Sequence, residues 1–179
     1  DKIDAQRIAE YAMRFTDRLN RRKPKRDVLV QLQILIRLRE RLVKSKADIS
    51  RFNKDATRFL TKQQSALIIK GTKKPIEALN SQIKKLDQEI LHLLHQDEHL
   101  SRLTKLITSI DGVGIVTCSA VLVKTNEFKD IKESKKFACT AGIAPFDHSS
   151  GKSVRGKPRV SHNAHKDLKK LLHLGAVSV

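Results

Sequence analysis

The sequence predicts a mainly α fold: a long antiparallel coiled-coil hairpin, then a small helical domain with a helix-hairpin-helix-like element. Two heptad runs of apolar residues fill the middle of the chain, and a Gly/Pro stretch separates them. Further on, two apolar helical segments flank a G-V-G turn. Aromatic residues are scarce, with six Phe, one Tyr and no Trp, which disfavours an aromatic sheet that stacks single-stranded bases.

Residues 1–23 read as a helix, because Ile3, Ile8, Tyr11, Ala12, Phe15 and Leu19 recur at helical spacing. The run Arg21-Arg22-Lys23 and then Pro24 end it, since proline disfavours α for the residue before it. Asp27 is the expected N-cap of a second, long helix. Along that helix Val28, Leu35, Leu42, Ile49 and Ala56 share one heptad position, and Gln31, Leu38, Ser45, Phe52 and Phe59 share its partner. Gly71-Thr72-Lys73-Lys74-Pro75 is the expected turn. Ile76, Ile83 and Ile90 then alternate with Leu79, Leu86, Leu93 and Leu100, which predicts the returning arm and places the hairpin over residues 26–103. A hairpin of this kind buries only part of its surface, so a homo-oligomer formed through it is expected.

Residues 104–179 change character. An apolar helix end, the turn Asp111-Gly112-Val113-Gly114 and the apolar run Cys118 to Val123 form the helix-hairpin-helix-like pattern. In it, Gly112, Gly114 and the next helix's N-terminal N–H groups face a phosphate; a tight turn without a ligand gives the same pattern. A polar loop from Asn126 to Asp130 leads to a small helix after Ser134, and His165 to Leu174 forms the last helix, with Leu168, Leu171 and Leu172 on its buried side.

Lys and Arg number 37 against 19 acids in 179 residues, a formal charge of +18. That field attracts polyanions, nucleic acid before an anionic membrane, and no apolar run approaches the roughly 18 residues a membrane span needs. Cys118 and Cys139 sit singly among apolar residues and no signal peptide is visible, which points to reduced thiols and a cytoplasmic location. The opening on Asp1, with no initiator Met, raises the expectation of a piece of something longer.

Chemistry concentrates between Ala141 and Arg159. Ser149 and Ser150 precede Gly151, and Lys152, Arg155, Lys157 and Arg159 follow within nine residues. A serine hydroxyl here has the chemistry to attack a phosphodiester while the cations hold its oxygens. A solvated basic loop rich in turn-forming serines explains the same residues. His92, His95 and His99 lie off the apolar seam and read as a solvated face.

In order, I-D-G-V-G-I-V-T (110–117), F-A-C-T-A-G-I-A-P (137–145), S-S-G-K (149–152) and L-K-K-L-L (168–172) resemble the C-terminal domain of the DEDD-motif insertion-sequence transposases. That family includes pilin-gene DNA invertases and bridge-RNA-guided recombinases. The heptad hairpin resembles its dimerisation element, and D-K-I-D-A-Q-R-I-A-E-Y resembles the end of its RNase H-like domain, making residues 1–25 a remnant of that domain. The resemblance implies a transposase or site-specific recombinase, bacterial and nucleoid-associated, with Ser150 as nucleophile and Ser149 as the adjacent alternative. It implies that Asp1 and Asp4 are the last two of four acids that bind Mg²⁺, and that DNA is the partner, with room for a guide RNA. At the terminal motif the family's Gly-Asn pair and Arg are replaced by Ala164, His165 and Lys169, so Lys169 keeps the charge without bidentate geometry. With two acids of the tetrad absent, the chain alone is expected to bind DNA without recombining it. The competing readings are a non-catalytic dimeric helix-hairpin-helix DNA-binding protein and, last, a coiled-coil scaffold.

Overall fold

The computed structural model describes residues 2–19, 24–150 and 154–179, with backbone alone for residues 146–150, 154 and 155. Among the described residues there are seven α-helices and one two-stranded antiparallel ribbon. Helix α1 runs from Lys2 to Arg14 and one 3₁₀ turn follows at Thr16–Arg18. The helix expected over residues 1–23 therefore stops early. Phe15 leaves helical geometry (φ −123°, ψ 47°), its ring meets Tyr11 at 4.8 Å, and the Arg18 guanidinium lies 5.0 Å over that ring. The basic run Arg21 to Lys23 lies outside the described residues.

Helix α2 (Asp27–Ala56) and helix α3 (Lys62–Gln96) lie against each other as an antiparallel hairpin. Arg39 pairs with Asp87 and Asn53 donates to Thr72, so positions rise on one arm as they fall on the other. Arg26, not Asp27, is the N-cap residue; Asp27 is the first helical residue, where its charge meets the positive end of the helix dipole.

The turn falls at residues 57–61, and Gly71 and Pro75 lie inside α3. Thr61 and Gln64 decide this with a reciprocal capping box: the Gln64 N–H donates to the Thr61 hydroxyl at 3.4 Å, and the Thr61 N–H to the Gln64 side chain at 3.1 Å. A proline mid-helix costs about 3 kcal/mol, in part through its ring meeting the carbonyl four residues back. Here that residue is Gly71, with open space around its α-carbon. Packing overrides the breaker, because Thr72, Ile76, Leu79 and Ile83 all lie on the partly buried inner face. Thr72 accepts from Asn53 at 2.7 Å and donates to the Ile68 carbonyl at 2.9 Å.

The inner row of α3 is the expected one, with Leu86, Ile90 and Leu94 buried at the base. The expected partner row, Gln31, Leu38, Ser45 and Phe52 of α2 and Phe59 in the turn after it, is exposed instead. Val28, Leu35, Leu42, Ile49 and Ala56 do face inward, paired with Leu32, Arg39, Lys46 and Asn53. Polar side chains occupy that second row because Asp87 and Thr72 receive two of them, so apolar spacing alone selects the wrong neighbour.

At the base the hairpin joins helix α4 (Glu98–Thr108), which Asp97 caps by accepting the Leu100 N–H at 2.9 Å. The expected boundary at residues 103–104 falls inside α4, and one core crosses it. Leu29, Leu32 and Ile36 of α2, Ile90 and Leu94 of α3, and Leu100 of α4 pack with the almost wholly buried helix α5 (Ile115–Thr125). Helix α6 (Ser134–Ala141) and helix α7 (Lys166–Val177) add Ala141 and Leu168. Burying each such Leu contributes about 2 kcal/mol.

The loop after α5 turns left-handed for three residues, Asn126, Glu127 and Phe128 (φ 52°, 57° and 62°). Each costs about 1–2 kcal/mol in that conformation. The turn is held by Glu127 N–H to the Leu122 carbonyl (3.0 Å), Phe128 N–H to the Thr125 hydroxyl (3.1 Å) and Lys129 N–H to the Asn126 carbonyl (3.0 Å). It delivers the fully buried Glu127 carboxylate to Arg26 and Lys129. Arg26 also grips Asp97 at 2.6 Å, so one guanidinium ties the start of α2, the α3–α4 junction and the end of α5.

Residues 146–150 and 154–159, expected as part of a loop, form the ribbon: β1 (Phe146–Ser150) pairs with β2 (Val154–Arg159). Its register runs from Phe146 opposite Arg159 to Ser150 opposite Val154, with an irregularity between Phe146 and His148. Across from that irregularity stands Pro158, which has no N–H to give to a ladder.

Candidate nucleic-acid interface

The ribbon is pinned where it leaves the body. Gly142 ends α6 in the left-handed region (φ +72°), and its N–H caps the helix on Ala138 and Cys139. A Cβ at Gly142 would lie 2.8 Å from the Ala164 methyl and 3.2 Å from Val160, so glycine lets both roots of the ribbon meet. His165 then donates its backbone N–H to the Thr140 carbonyl at 2.8 Å, closing the root against the start of α7.

Of the predicted site residues, Lys157 and Arg159 are exposed on β2. Ser149 and Ser150 end β1, with backbones opposite Arg155 and Val154. Lys152, with Gly151 and Ser153, lies outside the described residues, as does Asp1. Lys169 is exposed on the first turns of α7 and its aliphatic stem runs near Gly142, which joins it to the ribbon root.

His165 is half-buried, and its Nδ1 lies 3.4 Å from the Lys124 ammonium. Burial first, then the charge of Lys124, holds its pKa below the ordinary histidine value of 6.5; an upward pull from Asp167 and a still smaller downward one from Lys25 do not reverse this. At neutral pH it is therefore an uncharged imidazole, which can offer a hydrogen bond but no cation. The unfolded chain takes up this proton first, so stability falls as pH drops through 6.5 and levels off below the folded pKa. Thermal melts between pH 7.5 and pH 5, as assay limits of about that range, are expected to decline less steeply for His165→Gln than for the parent. Parallel curves would mean that the imidazole is not responsible.

The glycine turn sits elsewhere. Gly112 (φ +77°) is committed to packing, since a Cβ there would meet the Gly175 carbonyl oxygen at 2.3 Å. Gly114 is the N-cap residue of α5, exposed and with open space around it. The start of α5 opens onto a cleft of about 410 Å³ shared with Arg39, Asp87 and Leu91 of the hairpin. Gly112 meets the last turn of α7 and the ribbon root meets its first, so about 15 Å of helix separates the two predicted contact regions. Sequence reasoning missed Lys25 and Lys124, whose charges converge on His165 from outside its own helix. Neither belongs to a motif, and only the packing of α5 against α2 and α7 brings them there.

Asp4 is exposed on α1, and among the described residues no three His, Cys, Asp or Glu side chains form a group able to hold a metal. His92, His95 and His99 are exposed, and His92 shares a hydrogen bond with Gln96. No helix of the described residues is long and apolar enough to cross a membrane.

This arrangement, a pinned basic ribbon beside helices α4 to α7, falls in the region that comparison with known proteins picks out. Residues 104–179 match the transposase IS116/IS110/IS902 family. The whole chain is 27% identical over 181 residues to the pilin gene-inverting protein of Moraxella bovis, and likewise to that of Moraxella lacunata. It spans about half of their length, 52%. A transposase for insertion sequence element IS1328 from Yersinia enterocolitica is 29% identical over 96 residues, 52% of this chain and 27% of that protein.

Proposed function

We propose that this chain is the DNA-joining part of a transposase or site-specific recombinase, acting in the cytoplasm at the nucleoid, with Ser150 as the nucleophile. The observation that carries the reading is the ribbon. It sets the backbones of Ser149 and Ser150 on one strand and the exposed Lys157 and Arg159 on the strand paired with it, inside the region that matches a transposase family. In the proposed step the Ser150 hydroxyl oxygen bonds to the scissile phosphorus and the bond to one deoxyribose oxygen breaks. The serine's proton passes, overall, to that leaving oxygen. The product is a serine–DNA phosphodiester, which a second DNA hydroxyl reverses by the same exchange, so strands rejoin without external energy. Lys157, Arg159, Lys169 and the neighbouring Arg155 and Lys152 neutralise the phosphates on either side.

A divalent cation belongs to the proposal only through Asp1 and Asp4. The described residues do not by themselves make a metal site, and no step above passes through one. A homo-oligomer formed along the hairpin is proposed on the exposed apolar row Val30, Ile34 and Leu38 of α2. A guide RNA would be a second polyanion on the same basic surface.

Two measurements test the reading. On a duplex of about 30 base pairs, replacing Lys157 and Arg159 together with Gln is expected to reduce the slope of log affinity against log salt by about 1.8, or 0.9 per lost phosphate contact. A nicked or phosphorothiolate duplex incubated with the protein at its full encoded length is expected to leave a covalent protein–DNA adduct stable to denaturant. Salt-dependent binding with no adduct would favour a non-catalytic DNA-binding protein.

A further inference from the structure

Charge along the hairpin is uneven, and the ribbon does not account for it. Between residues 51 and 74, the end farthest from the core, stand Arg51, Lys54, Arg58, Lys62, Lys70, Lys73 and Lys74 against one acid, Asp55. All seven cations are exposed. Among the described residues only Arg51 has an acidic partner within 4 Å, Asp48 at 3.3 Å. The returning arm shows the reverse balance near the base, where residues 75–97 carry Glu77, Asp87, Glu89 and Asp97 against Lys84 and Lys85. Six unpaired like charges on one end of a helical pair repel each other unless a polyanion lies across them.

We propose that the hairpin tip is a second DNA-binding surface, which takes the phosphate backbone of duplex DNA apart from the ribbon. This rests on the reading of the chain as a DNA-joining protein. The cations line both arms: Arg51 and Lys54 stand at i and i+3 on the last turns of α2, Arg58 lies in the turn that follows, and Lys70, Lys73 and Lys74 stand at i, i+3 and i+4 on α3. The 35 residues of α3 rise about 52 Å from the tip to the core, which is about 15 base pairs of duplex. Phe59, 89% exposed, adjoins Arg58, and Leu67, 72% exposed, adjoins Lys70 and Lys74 on the same face of α3. A membrane-surface helix separates its apolar and cationic faces. Here they are interleaved, as suits a backbone with sugars between its phosphates. A second copy of the tip would set like charges against like.

The test compares three variants of the full chain on a 30-base-pair duplex (about 15 pairs longer than the α3 span, at about 3.4 Å per pair). Lys54→Gln, Arg58→Gln, Lys70→Gln and Lys73→Gln combined are expected to lower the salt slope by about 3.6 and to weaken binding at least about 100-fold near physiological salt. Lys62→Gln with Lys74→Gln, at the same end, is expected to lower the slope by about 1.8, which guards against a folding artefact in the larger variant. The ribbon variant is expected to keep what the tip contributes. Tip variants with the parent's slope and affinity, beside a ribbon variant that has lost slope, would overturn the tip and leave the functional reading standing. A parent chain that binds no duplex would overturn both. Tip-dependent sedimentation with vesicles of phosphatidylcholine and phosphatidylserine, with DNA binding untouched, would reassign the surface to lipid and overturn the proposal.

Discussion

Arg26→Ala is expected to lower the melting temperature by about 10 °C, the largest stability loss of any single substitution named here. Its guanidinium donates to Asp97 and Glu127, and the Glu127 side chain is 0% exposed. Removing one partner of a buried pair costs about 3–5 kcal/mol, because the remaining charge stays desolvated. The lower end applies, since Arg26 is itself 39% exposed and Lys129 still reaches Glu127. At about 2–4 °C per kcal/mol for a chain of this size, about 3 kcal/mol corresponds to the stated shift. Arg26→Lys is expected to recover part of it, because an ammonium can serve one carboxylate but not both. The acid limb supplies a second readout. Hydrogen bonding to Arg26 first, and then to the Leu100 N–H, holds the Asp97 pKa at about 2, down from 3.8. The stability this gives is fully present above pH 3.8 and disappears as pH falls toward about 2, so the variant's acid unfolding should be shallower there. A melting point within about 1–2 °C of the parent would show that the three junctions hold without the guanidinium.

That knot also marks where the sequence stops being readable. Periodic, local features were legible: the inner row of α3, the apolar helix α5 after its glycine turn, the small helix after Ser134, and Leu168 facing inward from the last helix. Each depends on residues within two or three turns of one another. Arg26, Asp97 and Glu127 are 71 and 101 positions apart from the arginine, and no local pattern connects them. The left-handed Asn126-Glu127-Phe128 turn was equally hidden, since Glu and Phe seldom take positive φ and do so here because the surrounding hydrogen bonds require it. Pro75 misled in the opposite direction. Its local signal was strong, and a continuous inner face together with the Thr61 capping box outweighed it. For the candidate site, the cations and serines were visible as residue types, whereas their pairing as strands depends on a register that a basic, serine-rich run does not announce.

Ser150→Ala, in the protein at its full encoded length, is expected to abolish the covalent DNA adduct and to lower strand exchange by at least about 1,000-fold, while binding the same duplex as tightly as the parent. The separation follows from the chemistry proposed. Affinity comes from cations that neutralise phosphates, and deleting one uncharged oxygen leaves that term intact. Bond exchange, in contrast, has no first step without the attacking atom. Ser149→Ala is the necessary comparison, because the two residues are neighbours on β1, one opposite Arg155 and the other opposite Val154. If the exchange instead survives at Ser150→Ala and disappears at Ser149→Ala, the nucleophile is the preceding serine and the rest of the mechanism stands. If both variants recombine, the hydroxyls do no chemistry, and the ribbon holds DNA for an attacking group elsewhere. Ser150→Cys separates position from element: a thiolate in the same place can form a phosphorothioester linkage, so a weaker adduct cleaved under conditions that spare phosphodiesters would identify residue 150 as the atom's place of attachment.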